Sequence, residues 1–167
     1  MSKAFKYAVV VLWPALAVSG QVASARAYSE PDAQEIYRAL IAPYGRHTLV
    51  VSTTIDRKSC SVSEKEITDP EFRKAMAAFN DVNERIWDLS KVLGQSKMIT
   101  NVELGETFKH GVVEGWKKFR QNHPDSTRYI ALSAVGFNNA HTTAVVYVEG
   151  GCGPKCAASG FQYFRHT

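Results

Sequence analysis

The stretch Arg128–Cys156, RYIALSAVGFNNAHTTAVVYVEGGCGPKC, constrains the fold more than any other part of the chain. It reads as two β-strands joined by a short polar turn, followed by a glycine-rich loop that holds two cysteines. In the first strand, Tyr129–Phe137, Ile130 and Leu132 are apolar on one parity and Val135 and Phe137 on the other. Side chains alternate faces along a strand, so a change of phase predicts a β-bulge near Ser133–Val135. Gly136 has no Cβ and would relieve the kink. Asn138 and Asn139 suit the turn, because Asn tolerates a positive φ. In the second strand, Thr142–Glu149, Ala144, Val146 and Val148 oppose Thr143, Val145 and Tyr147, so both faces carry apolar groups. Such a strand is central and covered by helices on at least one side. The short connection makes the pair an antiparallel hairpin. A loop Gly150–Gly160 and a last strand Phe161–His166 complete this half.

The preceding segments supply the cover. A first helix is expected over Pro31–Ala42, with Ser29 as N-cap and Ile36 and Leu40 as its apolar line. The β-branched run His47–Ile55 predicts a strand, and the polar segment Asp56–Thr68 a loop. Thr68 and Glu71 form a capping-box pattern with Pro70 in the first turn. From there Phe72, Met76, Phe79, Val82, Ile86 and Leu89 recur at helical spacing, which predicts one helix to Leu93-Gly94. Such a stripe is read as core. Lys97–Val102 reads as a short strand, and Glu103–Phe108 fits either state. A third helix runs to Gln121, with Phe108, Val112, Trp116 and Phe119 on its buried face. Trp116 and Phe119 are expected beneath the hairpin. The element order predicts an α+β domain, an antiparallel sheet with helices packed on one face. Cystatin-like and NTF2-like curved sheets are architectures of this kind.

The N-terminus has a different character. Lys3 and Lys6 precede an apolar run, Tyr7–Val18, interrupted by Pro14. Two small-x-small sequences follow, Ala23-Ser24-Ala25 and Ala25-Arg26-Ala27. This is the layout of a secretory signal peptide, residues 1–27, cleaved after Ala27 or Ala25. The run is about 12 residues long, short of the ~20 a spanning helix needs, so no membrane span is expected after cleavage. The formal charge of +4 belongs largely to this leader. Without Lys3, Lys6 and Arg26, 17 basic residues face 16 acidic ones, and no basic stripe survives to hold nucleic acid. Residues 28–167 are expected to form one domain, secreted or periplasmic. Export permits disulfides. Of the three cysteines, Cys152 and Cys156 are expected to bond to each other across their glycine-rich loop. Cys60 would stay reduced or pair between chains.

Gly115-Trp116 with Phe119 and Pro124, then Leu132-Ser133, Val135-Gly136-Phe137-Asn138, Ala144–Val148, and Cys152-Gly153 with Cys156 resemble a group of small exported bacterial proteins without assigned function. The resemblance covers Phe108–Phe164 and implies an extracytoplasmic location and no mechanism. This chain has Ala134 where the group usually has a basic residue, and Ala157 where it usually has glycine. The group also continues through a lysine-rich turn into another strand carrying a tryptophan. This chain ends at Thr167, so relative to the group it is shortened or closes its sheet differently.

The sequence holds no GxSxG, HExxH, P-loop or Rossmann glycine pattern. No two of His47, His110, His123, His141 and His166 stand at i, i+3 or i+4, so no helical metal site is indicated, and no cofactor is expected. The Cys-x-x-x-Cys spacing departs from the redox Cys-x-x-Cys, which leaves a structural bridge as the better reading. Cys60 with His47 or His141 is a candidate nucleophile and base, and Glu149 with Asp125 or Glu114 a candidate carboxylate pair. Both are weak signals, and Glu149 reads as a solvated residue at a strand end. Two function classes remain. The favoured one is a non-catalytic binding or interaction module for an unknown protein or small ligand, with a groove on the sheet or a rim at Gly150–Gly160. The alternative is a small extracytoplasmic hydrolase with its site on the sheet's concave face.

Overall fold

The structure, a computed structural model, describes residues 25–55 and 67–165. In chain order its elements begin with β1 (Arg26–Ala27), α1 (Ala33–Ile41), a 3-10 segment Ala42–His47, β2 (Thr48–Val51) and α2 (Pro70–Val82). There follow β3 (Trp87–Asp88), α3 (Ser90–Leu93), β4 (Met98–Ile99), α4 (Asn101–Phe108) and α5 (Val112–Asn122). The last part holds β5 (Arg128–Leu132), β6 (Gly136–Phe137), β7 (Thr143–Gly153) and β8 (Cys156–Arg165). The leader up to Ser24, most of the Asp56–Thr68 loop with Cys60, and His166 lie outside the described residues.

The class is α+β, with helices on a strongly curled sheet. The sheet is mixed, which corrects the antiparallel expectation. β2 runs parallel to both β4 and β5, whereas β7 runs antiparallel to β5, β6 and β8. Parallel neighbours require crossover connections, and the helices between β2 and β5 supply them. The helices also cover both faces. Val50, Ile130, Leu132 and Val146 share a core with Tyr28 and Tyr37, beside α1. Leu49, Val51 and Ala131, of opposite parity, pack under Trp116 and Phe119 of α5. Val145 lies on that second face beneath Ala75, Met76 and Phe79 of α2.

The predicted bulge is present. Leu132 pairs with Val148 and Gly136 with Val145, so four steps on one strand oppose three on its neighbour. Ser133 bridges the irregularity: its N–H donates to Tyr147 O at 2.9 Å, and its Oγ accepts from Tyr147 N at 2.8 Å. Gly136 serves a different purpose from the one expected. A Cβ there would lie 2.2 Å from Phe79 N, so glycine is what lets the α2 backbone rest on the sheet. Asn138 organises the β6–β7 turn, its Oδ1 accepting from the N–H groups of Thr142 and Thr143.

The second helix is shorter than its apolar stripe. α2 starts at Pro70 with Asp69, not Thr68, as N-cap; Asp69 Oδ1 accepts from Glu71 N and Phe72 N. Glu71 closes no capping box; its carboxylate accepts from Lys74 Nζ and from Asn138 Nδ2, the latter at 2.6 Å. The helix ends at Val82, because Asn83 turns its amide into the bulge, and Ile86 is left exposed. The third helix is likewise two. Gly111, at φ 98°, separates α4 from α5 in a conformation that favours glycine. Val112 is consequently exposed, while Trp116 and Phe119 are buried as expected. They lie under β2 and β5, with the Trp116 ring stacked on Tyr129 at 5.8 Å. It is α2 that covers the β6–β7 hairpin.

Candidate functional site

The expected Gly150–Gly160 loop is strand. β7 continues through Gly153, β8 begins at Cys156, and only Pro154 and Lys155 turn between them. Gly151 pairs with Ala157 and Gly153 with Cys156, which leaves Cys152 as an extra residue in the ladder. Cys152 and Cys156 stand at disulfide distance, their Cα atoms 5.2 Å apart. Peptide composition foretold this closeness; the ladder supplies the mechanism, because a bulged residue and its neighbour across a tight turn are near each other by construction.

This hairpin forms one wall of a groove of about 300 Å³. Its floor follows from strand alternation. Ile130, Val148 and Gly150 share one face, and the register sets Gly160 opposite Val148, Ala158 opposite Gly150 and Gln162 opposite Val146. Three of these residues have a methyl group or less, so this part of the face is not filled by its own side chains. Tyr44 and Arg128 complete the lining. The Arg128 guanidinium lies over the Tyr44 ring, 5.2 Å from its centre, a cation–π arrangement. Arg128 Nε is buried and has no hydrogen-bond partner among the described residues. A buried donor without an acceptor carries a desolvation cost that an incoming acceptor relieves. The groove thus offers an apolar floor, an aromatic edge and one cation.

Two further clefts flank α1. One, about 670 Å³, lies between α1 and the α3–β4 turn and carries Arg38, Arg46 and Lys97. The other, about 470 Å³, lies between the start of α1 and the β6–β7 turn and carries Asp32, Glu35 and His141. There Glu30, Asp32 and His141 bring three ligating atoms within 4.8 Å of one another. Residue spacing gives no signal for this cluster, because His141 is more than a hundred positions from Glu30 and Asp32.

Among the described residues, the catalytic candidates read from the sequence do not share a cleft. Glu149 is not at a strand end, which corrects that reading. It sits within β7, paired with Ala131 and Ser159, and half-burial beside Tyr129 raises its pKa above the ordinary 4.5. Glu114 is exposed in the first turn of α5 with Lys117 3.9 Å away. Asp125 meets His47 only through its backbone carbonyl, 2.8 Å from Nδ1. None of these three carboxylates lines any of the three clefts. The Cys60 nucleophile falls outside the described residues. His47 engages Asp125, and His141 Nδ1 lies 2.7 Å from Asp32.

Taken together, these features define an α+β domain with a small-residue groove on its sheet. Compared with protein-family models, curated proteins and solved structures, the chain matches none. Among the described residues no helix is long and apolar enough to cross a membrane.

Proposed function

We propose that this is an exported binding module of the small bacterial group it resembles, and that it uses the groove beside the Cys152–Cys156 hairpin to hold a small amphipathic acid. The observation that carries the reading is the Arg128 guanidinium set at the edge of an apolar floor, with its Nε buried and unpartnered. A ligand with an apolar body would cover Ile130, Val148 and Ala158, and its carboxylate, sulfonate or phosphate would receive the guanidinium in a charge-assisted pair. Among the described residues that line it, none is a histidine, aspartate or glutamate, and Arg128 is the charged group, which favours binding over hydrolysis at this groove. The leader layout and the disulfide-distance pair support an oxidising, extracytoplasmic setting.

The probe for this reading is 1-anilinonaphthalene-8-sulfonate, an apolar ring system bearing one sulfonate. Gly160 is the position at which to fill the groove, because a Cβ built there meets no atom within 4 Å. The native protein is expected to enhance the dye's fluorescence saturably. Gly160→Leu and Arg128→Gln are each expected to weaken binding at least tenfold with the near-UV circular dichroism unchanged. Equal affinity in the native protein and both variants would overturn the assignment of the site.

A further inference from the structure

We infer that Glu30, Asp32 and His141 form a binding site for a divalent transition-metal ion of the zinc type. The three come from two remote parts of the chain, the segment leading into α1 and the β6–β7 turn. Their ligating atoms nevertheless lie within 4.8 Å of one another. Zinc binds imidazole nitrogen and carboxylate oxygen at about 2.0–2.2 Å, which sets tetrahedral donors about 3.4 Å apart. The donor set needs only a small adjustment, with the Asp32–His141 pair widening from 2.7 Å, and the side chains are rotatable: Asp32 and His141 are exposed and Glu30 half-buried.

The imidazole is held in place before any ion arrives. His141 stacks on Phe137, ring centres 4.8 Å apart and planes 7° from parallel. The His141 backbone N–H donates to Asn138 O at 2.9 Å, and that backbone sits at φ 54°, a conformation non-glycine residues adopt uncommonly. Asp32 Oδ2 lies 2.7 Å from His141 Nδ1, so a carboxylate and an imidazole already face each other. One nitrogen and two carboxylates suit zinc and its first-row neighbours better than calcium, which takes six to eight oxygens. The cleft of about 470 Å³ beside them leaves the remaining coordination positions open to water or an external ligand. An ion here would clasp the start of α1 to the β6–β7 turn. Because it binds the folded state, it would raise the thermal midpoint.

The test is calorimetric titration of the mature protein with zinc chloride after chelator treatment, in a Cys60→Ser background that removes the thiol outside the described residues. His141→Asn deletes the imidazole yet tolerates a positive φ, and Glu30→Gln removes a ligand without touching the turn. One equivalent of zinc is expected to bind and raise the midpoint by several degrees. Each variant is expected to lose at least tenfold in affinity while its metal-free midpoint stays within about 2 °C of the parent, a small effect on the usual scale. Absence of zinc binding, zinc affinity unchanged by both variants, or preferential binding of calcium chloride would overturn the site.

Discussion

Asn83 and Ala134 are joined by two reciprocal hydrogen bonds. Asn83 Nδ2 donates to Ala134 O at 3.0 Å, and Ala134 N donates to Asn83 Oδ1 at 2.8 Å. One side-chain amide thereby takes the place of a neighbouring strand at the point where the bulge has opened the ladder. The same Nδ2 donates to Phe79 O at 2.9 Å, so the residue that repairs the sheet also ends α2.

Truncating this amide should be costly. Asn83→Ala leaves the Ala134 N–H buried without a partner, while Ala134 O keeps the Ser133 hydroxyl, which donates to it at 2.8 Å. Such a group costs about 1–3 kcal/mol, so a loss of roughly 2 kcal/mol is expected in a urea titration. A loss below about 1 kcal/mol would mean that water replaces the amide, which an Asn83→Asp comparison would not mimic.

The start of the folded chain gives a second prediction. Arg26–Ala27 pairs in parallel with Trp87–Asp88, and Tyr28 N continues the ladder to Asp88 O at 2.8 Å. Cleavage after Ala25 keeps this ladder, whereas cleavage after Ala27 removes most of it. Mass spectrometry of exported material is expected to find Arg26 first. A mature chain beginning at Tyr28 would show that β1 is dispensable. The Tyr28 hydroxyl, buried against Val135 and with its pKa raised by desolvation, anchors the segment in either case.

Much of this architecture could be read from residue patterns, and the failures share a cause. The phase slip at Ser133–Val135 located the bulge because alternation is a local property. The α2 stripe overran its helix because Ile86 and Leu89 keep helical spacing while Asn83 makes tertiary bonds that spacing cannot report. The glycine run Gly150–Gly153 reads as loop by composition, yet a strand that lies under Trp116 needs small residues: a Cβ on Gly151 would sit 2.8 Å from that ring. The groove's position near the Gly150–Gly160 segment was legible, but Arg128 and Tyr44 were not, since β2–β5 pairing brings their neighbourhoods together. The Glu30, Asp32 and His141 cluster was invisible for the same reason.

The cysteines make a third prediction. Peptide mapping without reduction is expected to recover Cys152 linked to Cys156. The closed loop is so short that the chain-entropy contribution is about 2 kcal/mol. Reduction should therefore raise amide exchange at Gly151–Ala157 and leave the core protected. Recovery of Cys60 linked to either partner as the main species would refute the pairing.

Burial of Glu149 predicts a pH dependence. Its pKa is raised by desolvation, so between the ordinary 4.5 and the folded value the folded state holds the proton more tightly than the unfolded chain. Stability from this group is fully present below the unfolded pKa and is lost as pH rises through the folded one. Glu149→Gln is expected to flatten the decline above about pH 4.5 and to leave the protein more stable than the parent at neutral pH. A parallel pair of stability profiles would show that the carboxylate stays solvated.

The groove is tested most directly by nuclear magnetic resonance titration of the mature protein with 1-anilinonaphthalene-8-sulfonate. The account predicts saturable shifts of the Gly150, Gly151, Ala158 and Gly160 amides and of the Arg128 Nε–H signal, all abolished in Gly160→Leu. Shifts confined to the Arg38, Arg46 and Lys97 cleft, or no saturable shift at the β7–β8 hairpin, would contradict it.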